Sequence, residues 1–177
     1  MRVAYADPPY PGMAERYGRR EVNHERLIKA LDARFDGWAL STSSVALRDL
    51  LPMCPPKVRV MAWVKPDPAY KPGWWPNYAW EPVIMKRARV PTSRGLTPYD
   101  WIKTGTRKEG FFGAKPPEFC GWLFSCLGLE PDDDFHDLFH GSGAVKRAWT
   151  QWSAYKRSGG PLFATKPALD EGGSCEP

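Results

Sequence analysis

Short apolar segments alternate along the chain with segments in which apolar residues recur at helical spacing. Residues 2–6 predict a buried strand that stops before Pro8 and Pro9, because proline cannot continue a strand ladder. Asn23 is a helix N-cap candidate, and apolar residues follow it at helical spacing as far as 35. The same patterns predict further strands at 38–41, 58–64, 80–86, 135–139 and 161–165, and further helices from Ser43 or Ser44 to 51, at 117–127 and at 144–155.

The order strand, helix, strand, helix, strand predicts an α/β fold of three layers, with helices on both faces of a mostly parallel sheet. The 177 residues suit one domain, which we place at 1–166, followed by a flexible tail at 167–177. Two segments, 65–78 and 88–114, are rich in Pro, Gly, Trp and basic residues. They predict long loops, and loops of that length are usually functional or mobile.

Composition narrows the function only a little. The net charge of +5 favours a polyanionic partner, and nine tryptophans offer surfaces on which unpaired bases can stack. The four cysteines form no CxxC pair and the chain has three histidines, so we expect no metal site. We also expect no membrane partner, because no segment approaches the roughly 20 apolar residues of a bilayer span.

The segment Asp7–Tyr10 reads Asp-Pro-Pro-Tyr and suits chemistry on an exocyclic amino group. The lone pair of such a nitrogen is delocalised into the ring, so a site helps by accepting both N–H bonds and aiming the lone pair at a methyl donor. Asp7 supplies a carboxylate, the prolines aim the Pro8 carbonyl, and Tyr10 can stack on a base. The alternative is a plain strand-to-loop turn, for which Asp-Pro-Pro is equally suitable.

The segment Asp137–Gly143 reads Asp-Leu-Phe-His-Gly-Ser-Gly between a predicted strand and a predicted helix. Its glycines let the backbone approach a ligand, and the amides at the helix N-terminus can face a polar or anionic group. The pattern suits a nucleotide or a cofactor, with an ordinary Gly-Ser-Gly bend as the alternative. Neither GxGxxG nor the Walker pattern is present, which argues against NAD and against an NTPase.

Together these motifs resemble the beta group of DNA amino-methyltransferases, the N6-adenine and N4-cytosine DNA methylases in which Asp-Pro-Pro-Tyr precedes the cofactor turn. The resemblance spans most of residues 3–156, and segment 79–85 is also similar to messenger-RNA adenosine methyltransferases. The matching segments are Asp7–Tyr10, Lys115-Pro116 for the family's Lys-Pro element, Asp137–Gly143 for its Asp-Pro-Phe-x-Gly-Ser-Gly turn with Leu138 replacing proline, and 63–65 with 79–85 for the strand pair near the target-base pocket.

The resemblance implies a Rossmann-like sheet with a reversed last hairpin and S-adenosylmethionine as cofactor. It implies that Asp7 and the Pro8 carbonyl hold the amino group of a flipped base, with Pro9 in the same motif and Tyr10 stacked on the base. The family's cofactor helix usually precedes a strand that ends in a ribose-binding acid. Here a lysine follows 161–165, so either the sheet is truncated at this edge or another acid substitutes. The implied cofactor-binding residues are Lys115, Asp137, Phe139, Gly141, Ser142 and Gly143.

The two predicted loops are the candidates for nucleic-acid recognition, because the chain has no room for a large recognition domain. Their aromatic residues would stack on bases and their basic residues would contact phosphates. Packing of the aromatic residues onto the core and simple solvation of the basic ones are equal alternatives. The residues assigned to nucleic-acid binding are Trp74, Trp75, Lys86, Arg87, Arg94 and Arg107.

We therefore expect an enzyme that methylates the exocyclic amino group of a nucleic-acid base, adenine N6 in DNA, in the cytoplasm of a bacterial or phage-infected cell. Cytosine N4 and RNA adenosine are the alternative substrates. A catalytically inactive nucleic-acid-binding module is the alternative class. The aspartate at position 7 disfavours a protein or small-molecule substrate. A monomer and a homodimer both remain open, as do roles in restriction and in phage protection.

Overall fold

The computed structural model describes residues 1–18, 20–66, 72–73, 75–90, 97–105 and 114–159. The predicted strand at 161–165 and the predicted tail at 167–177 lie outside these residues, so the domain boundary at 166 stays a prediction. Three of the residues assigned to nucleic-acid binding also lie outside them: Trp74, Arg94 and Arg107.

The described strands form one mixed sheet. They are β1 (Arg2–Ala6), β2 (Gly37–Ser41), β3 (Arg59–Val64), β4 (Trp80–Lys86), β5 (Trp101–Lys103) and β6 (Asp134–Asp137). Their order across the sheet is β5-β3-β4-β2-β1-β6. β4 runs antiparallel to its neighbours β2 and β3, whereas the other pairs are parallel. The predicted mostly parallel sheet is confirmed. β3 and β4 form an antiparallel pair, but β5 and β6 follow it in the chain, so this pair is not the last of the described strands.

Two apolar clusters, one on each face of the sheet, hold the helices in place. The helices are α1 (His24–Arg34), α2 (Leu47–Leu50), α3 (Pro117–Leu127) and α4 (Ala144–Arg157). On one face, Phe119 of α3 and Trp152 of α4 pack in a cluster with Tyr5 of β1. On the other, Ile28 of α1 and Leu50 of α2 pack in a second cluster. Because apolar area is buried on both faces, the predicted three-layer arrangement is confirmed.

Strand direction brings the two sequence motifs to one edge of the sheet. β1 and β6 are adjacent and parallel, with Tyr5 in register with Asp137. Asp7 and the turn at 138–143 therefore leave the sheet side by side. β4 enters at this edge because it runs the opposite way, and its Glu81 pairs with Trp63 near the end of β3. We call this side of the sheet, where β1, β3 and β6 end, the carboxyl edge.

Two sequence predictions need correction. The loop predicted at 88–114 contains strand β5, which pairs with β3 at the edge of the sheet. Three residues give too few positions for an alternating pattern to be seen in the sequence. The helix predicted from Ser43 or Ser44 begins at Leu47, and the Ser43 hydroxyl accepts from the Ala46 N–H at 3.3 Å in the preceding turn.

A membrane-spanning helix is not found in the described part of the chain, where every helix is too short or too polar.

Candidate active site

A buried ion pair stands at the end of β1. The Lys115 ammonium lies 3.0 Å from Oδ2 of Asp7, and the lysine side chain is only 6% exposed. Lys115 directly precedes Pro116, the N-cap of α3, so the start of that helix fixes the backbone that carries the ammonium. The rings of Trp63 and Phe119 lie 5.2 and 5.8 Å from the same nitrogen and provide cation–π contacts. Lys115 therefore reaches the Asp7 carboxylate from the start of α3.

Glu81 of β4 extends this pair into a chain of alternating charges. Its Oε2 lies 3.7 Å from the Lys115 ammonium, and its Oε1 pairs with the Lys65 ammonium. Lys65 directly follows β3 and lies 4.6 Å from the Trp63 ring. Tyr10 also hydrogen-bonds the Glu81 carboxylate. Asp7, Lys115, Glu81 and Lys65 thus form one network at the carboxyl edge, which we call the charge network.

Burial and pairing act on the charge network in opposite directions. Burial raises the pKa of Asp7, and the Lys115 charge offsets that rise only in part. Burial also raises the pKa of Glu81, but Lys115 and Lys65 lower it more, so this pKa falls below its ordinary value. Burial lowers the pKa of Lys115, but the charges of Asp7 and Glu81 raise it by more, so this pKa lies above its ordinary value. Lys115 and Glu81 are therefore charged at neutral pH, and Asp7 ionises less readily than an ordinary aspartate.

The glycine turn lies beside Asp7. Gly141 and Gly143 both have positive φ, 45° and 72°, a conformation that favours glycine. The Gly143 N–H donates to the His140 carbonyl at 2.6 Å, and α4 begins at the next residue. The turn and the end of β1 line one cleft, together with Lys115. The cleft residues are Tyr5, Asp7, Ala114, Lys115, Phe139, His140, Gly141, Ser142, Ala144 and Val145.

Asp137, at the end of β6, is a buried carboxylate that lacks a well-formed hydrogen bond from the residues that the structure describes. Burial raises its pKa, and His140 with the Phe139 backbone N–H offsets that rise only in part. The side chain lines a second groove, beside Trp149 and Lys146 of α4. A buried carboxylate without a well-formed hydrogen bond favours a ligand that brings a hydrogen-bond donor or a positive charge.

Of the residues assigned to nucleic-acid binding, Trp75, Lys86 and Arg87 are described, and two of them lie away from Asp7. Lys86 ends β4 and pairs in register with Trp38, which puts it at the edge of the sheet opposite to Asp7. Its ammonium is paired with the Asp32 carboxylate. Arg87 follows it at that edge. Trp75 is 97% exposed, so of the three described residues it is the one free to stack on a base.

Exposed aromatic side chains are also found at the start of β5 and on β4. Tyr99 and Trp101 are exposed and stack on each other at 6.2 Å. Trp80 and Lys103 are both in register with Val64, one on each side of it, so they share a face of the sheet. The sequence does not predict this arrangement, because it depends on the pairing of β3 with β5, and β5 has only three residues.

Of the residues that the sequence assigned to the site, the structure brings Asp7, Lys115, Phe139, Gly141 and Ser142 into one cleft. Asp137 lines the second groove instead, and Pro8, Pro9, Tyr10 and Gly143 are not among the residues that line the cleft. Sequence reasoning missed the pairing of Lys115 with Asp7 and the part played by Lys65. The signal for Lys65 was its place directly after a strand, beside the Trp63 that matched the family pattern.

No protein-family model matches the sequence, and no curated protein matches it. Solved structures do share its fold. A crystal structure of an M1.HpyAVI–SAM complex matches with a TM-score of 0.59 and 16% identity, over 85% of this chain and 78% of that one. A crystal structure of M1.HpyAVI matches with the same TM-score and identity, over 85% of this chain and 76% of that one. The chain therefore has the Rossmann-like methyltransferase fold of these proteins.

Proposed function

We propose that this protein transfers a methyl group from S-adenosylmethionine to the exocyclic amino group of a nucleic-acid base, with adenine N6 in DNA as the target. The observation that carries the proposal is the single cleft in which Asp7 of the Asp-Pro-Pro-Tyr motif faces the glycine turn at Gly141 and Ser142. A carboxylate that holds an amine and a turn that holds a cofactor are the two parts that this reaction needs side by side. The fold shared with an M1.HpyAVI–SAM complex supports the same proposal.

The residues of the cleft, of the glycine turn and of the second groove, which shares His140 with the cleft, fit this cofactor. Asp137 offers a buried carboxylate without a well-formed partner among the described residues, which suits an ammonium group. Gly141 and Gly143 leave the turn without side chains where a ligand has to approach the backbone. Phe139 adds an apolar wall. We assign these residues, with Ser142 and Lys115, to the cofactor pocket.

When bound, S-adenosylmethionine would supply a methyl group on a sulfonium sulfur. The new nitrogen–carbon bond would form as the sulfur–carbon bond breaks, the sulfur would leave as a neutral thioether, and the proton of the methylated amine would pass to water. The ionised Asp7 carboxylate accepts one N–H of the amino group, and the Pro8 carbonyl accepts the other. Both bonds favour a pyramidal nitrogen with its lone pair directed into the cleft. Tyr10 stacks on the base beside its bond to Glu81. Orientation and exclusion of water then account for most of the rate enhancement.

A nucleic-acid substrate is supported by exposed aromatic residues and by the net charge. Trp75, Tyr99 and Trp101 are exposed aromatic residues that can stack on unpaired bases. The net charge of +5 favours a polyanion. Aspartate at position 7 favours a base over a protein amide, and tyrosine at position 10 favours adenine over cytosine. Cytosine N4 and RNA adenosine are the alternative targets, and methylation of either would use the same site residues.

The test is to incubate the protein with tritiated S-adenosylmethionine and unmethylated DNA, then digest the DNA and identify the labelled nucleoside. We expect label in N6-methyladenine. Asp7→Ala should lower the rate by roughly a hundredfold or more, because the amine loses its orienting acceptor. Binding of S-adenosylmethionine, measured by calorimetry, should persist in this variant. Label in N4-methylcytosine, or label on RNA alone, would reassign the target.

The Lys115 ammonium on Asp7 favours a second candidate, an inactive nucleic-acid-binding module, because it blocks the acceptor that an amine needs. The same assay separates the two candidates. A protein that binds DNA, binds no S-adenosylmethionine and labels neither DNA nor RNA would be the inactive module.

A further inference from the structure

The Lys115 ammonium occupies the acceptor that the proposed reaction requires. It lies 3.0 Å from Oδ2 of Asp7, within hydrogen-bond distance of that oxygen. An amino group of a substrate base has the same chemistry toward a carboxylate, since it also donates N–H bonds. The two donors therefore compete for Asp7.

Lys115 cannot simply move into water when it is displaced. Its side chain is 6% exposed, and the Trp63 and Phe119 rings lie next to its nitrogen. A buried ammonium without a partner is costly, so the displaced charge must be met inside the protein. Oε2 of Glu81, at 3.7 Å, is the other carboxylate oxygen paired with this nitrogen among the described residues.

Glu81 is held ready for this role. Its Oε1 is paired with Lys65, its Oε2 lies 3.7 Å from the Lys115 ammonium, and Tyr10 hydrogen-bonds the same carboxylate. The exposed fraction of the Glu81 side chain is 23%, which leaves it mostly shielded from water. Its contact with Lys115 is longer than that of Asp7, so Asp7 is the preferred partner while no substrate is bound.

We propose that Glu81 is a positioning residue that receives the Lys115 ammonium from Asp7 when a substrate amino group enters the site. The exchange keeps the lysine paired throughout and frees Asp7 Oδ2 for the amine. This inference rests on the proposed function, and it adds a role for Glu81 and Lys115 in admitting the substrate. Lys115 then pairs with Asp7 until a substrate amine binds, and the amine displaces it only when the substrate makes enough other contacts with the protein.

The experiment compares kcat/KM for methyl transfer to unmethylated DNA in four proteins: wild type, Glu81→Gln, the double variant Glu81→Gln with Lys115→Met, and Glu25→Gln. Glu25 is a matched control, since it pairs with Lys29 on the exposed surface of α1. Measurements are made at alkaline pH, where Asp7 stays ionised after the loss of its lysine. The charged or titratable groups that act on Asp7 there are Lys115, Glu81, Lys65, Tyr5, Cys120 and Asp137.

Glu81→Gln should lower kcat/KM for DNA about tenfold or more, because Lys115 then has Asp7 as its one remaining carboxylate. Binding of S-adenosylmethionine should not change. With S-adenosylmethionine at saturating concentration, so that the loss of Lys115 from the cofactor pocket does not limit the rate, the double variant should recover several-fold over Glu81→Gln, since the competing ammonium is gone. Wild-type kcat/KM in Glu81→Gln would overturn the inference. So would a double variant no better than the single one, which is the result that a merely structural role for Glu81 predicts.

A second measurement tests the sharing of Lys115 without any turnover. Asp7→Asn and Lys115→Met are combined in a double-mutant cycle, with unfolding by denaturant as the readout. The cycle is run once with Glu81 intact and once in the Glu81→Gln variant. The coupling between Asp7 and Lys115 should strengthen in the Glu81→Gln variant, and equal coupling in both cycles would overturn the inference. Absence of methyl transfer by the wild type would instead count against the proposed function, and this pair of cycles would still decide the sharing.

Discussion

At the scale of single residues, the protein places a carboxylate where burial opposes its charge. Burial raises the pKa of Asp7, yet an amine can be held only by the ionised form. Lys115 offsets this in part, at 3.0 Å. The proline pair made Asp7 conspicuous in the sequence. The sequence also pointed to Lys115, but not to its pairing with Asp7, because that contact joins segments far apart in the chain and depends on how α3 packs against β1.

The pH profile of kcat/KM should report this environment. We expect its acid limb above the ordinary pKa of an aspartate, since activity is lost as Asp7 takes up a proton. Lys115→Met should move the limb to still higher pH, because the variant removes the cation that lowers the Asp7 pKa. A limb that stays in place, or moves to lower pH, would mean that a group other than Asp7 controls the rate.

At the scale of elements, the turn between β6 and α4 is the part of the site that depends most on glycine. Gly143 has φ 72°, and a Cβ there would lie 3.0 Å from Nη1 of Arg147. The pattern Gly-Ser-Gly before a helix predicted this turn. The boundaries of β4 were also predicted from the sequence, because seven residues are enough for an alternating pattern. The position of β4 between β2 and β3 was not, since periodicity carries no information on strand order.

Gly143→Ala should weaken S-adenosylmethionine binding by roughly tenfold, because an alanine with positive φ costs on the order of 1 kcal/mol and deforms the turn. Gly159→Ala is the matched control. Gly159 has φ 78° at the other end of α4, and no atom lies within 4 Å of its added Cβ. Both variants carry the same backbone strain, so calorimetry should find weaker binding in Gly143→Ala alone. Equal affinities would remove this turn from the cofactor pocket.

At the scale of the whole molecule, a buried ion pair ties the segment after β4 to the connection between α3 and β6. Arg89 donates from Nη1 and Nη2 to Asp133 at 2.8 and 2.7 Å. The Asp133 side chain is 3% exposed and also accepts the Glu130 N–H at 2.8 Å. Nothing in the local pattern of the sequence predicted this bidentate pair, because its partners are brought together by tertiary packing alone.

Asp133→Asn should lower the free energy of unfolding by about 3 kcal/mol, because it leaves the Arg89 guanidinium without its buried carboxylate. Asp132→Asn is the matched control, since Asp132 is 90% exposed and pairs with Arg157 at the surface. Urea denaturation at neutral pH measures both.

The difference in unfolding free energy between wild type and Asp133→Asn should depend on pH. Burial raises the pKa of Asp133, but the Arg89 hydrogen bonds and its other partners lower it more, so the folded pKa lies below its ordinary value. The stabilisation is therefore present above the unfolded pKa and is lost as pH falls through the folded one. The difference between wild type and Asp133→Asn should shrink in acid. A difference that is constant with pH would indicate a packing effect instead.

The pairing of β1 with β6 has a consequence for synthesis on the ribosome. β1 can pair with β2 as soon as β2 has been made, but its other side stays open until β6 has been made. During that interval a row of unpaired backbone groups is exposed, and such a row invites association with other chains. The long loop that this pairing closes also slows folding. The cleft between Asp7 and the glycine turn therefore cannot form until β6 has left the ribosome.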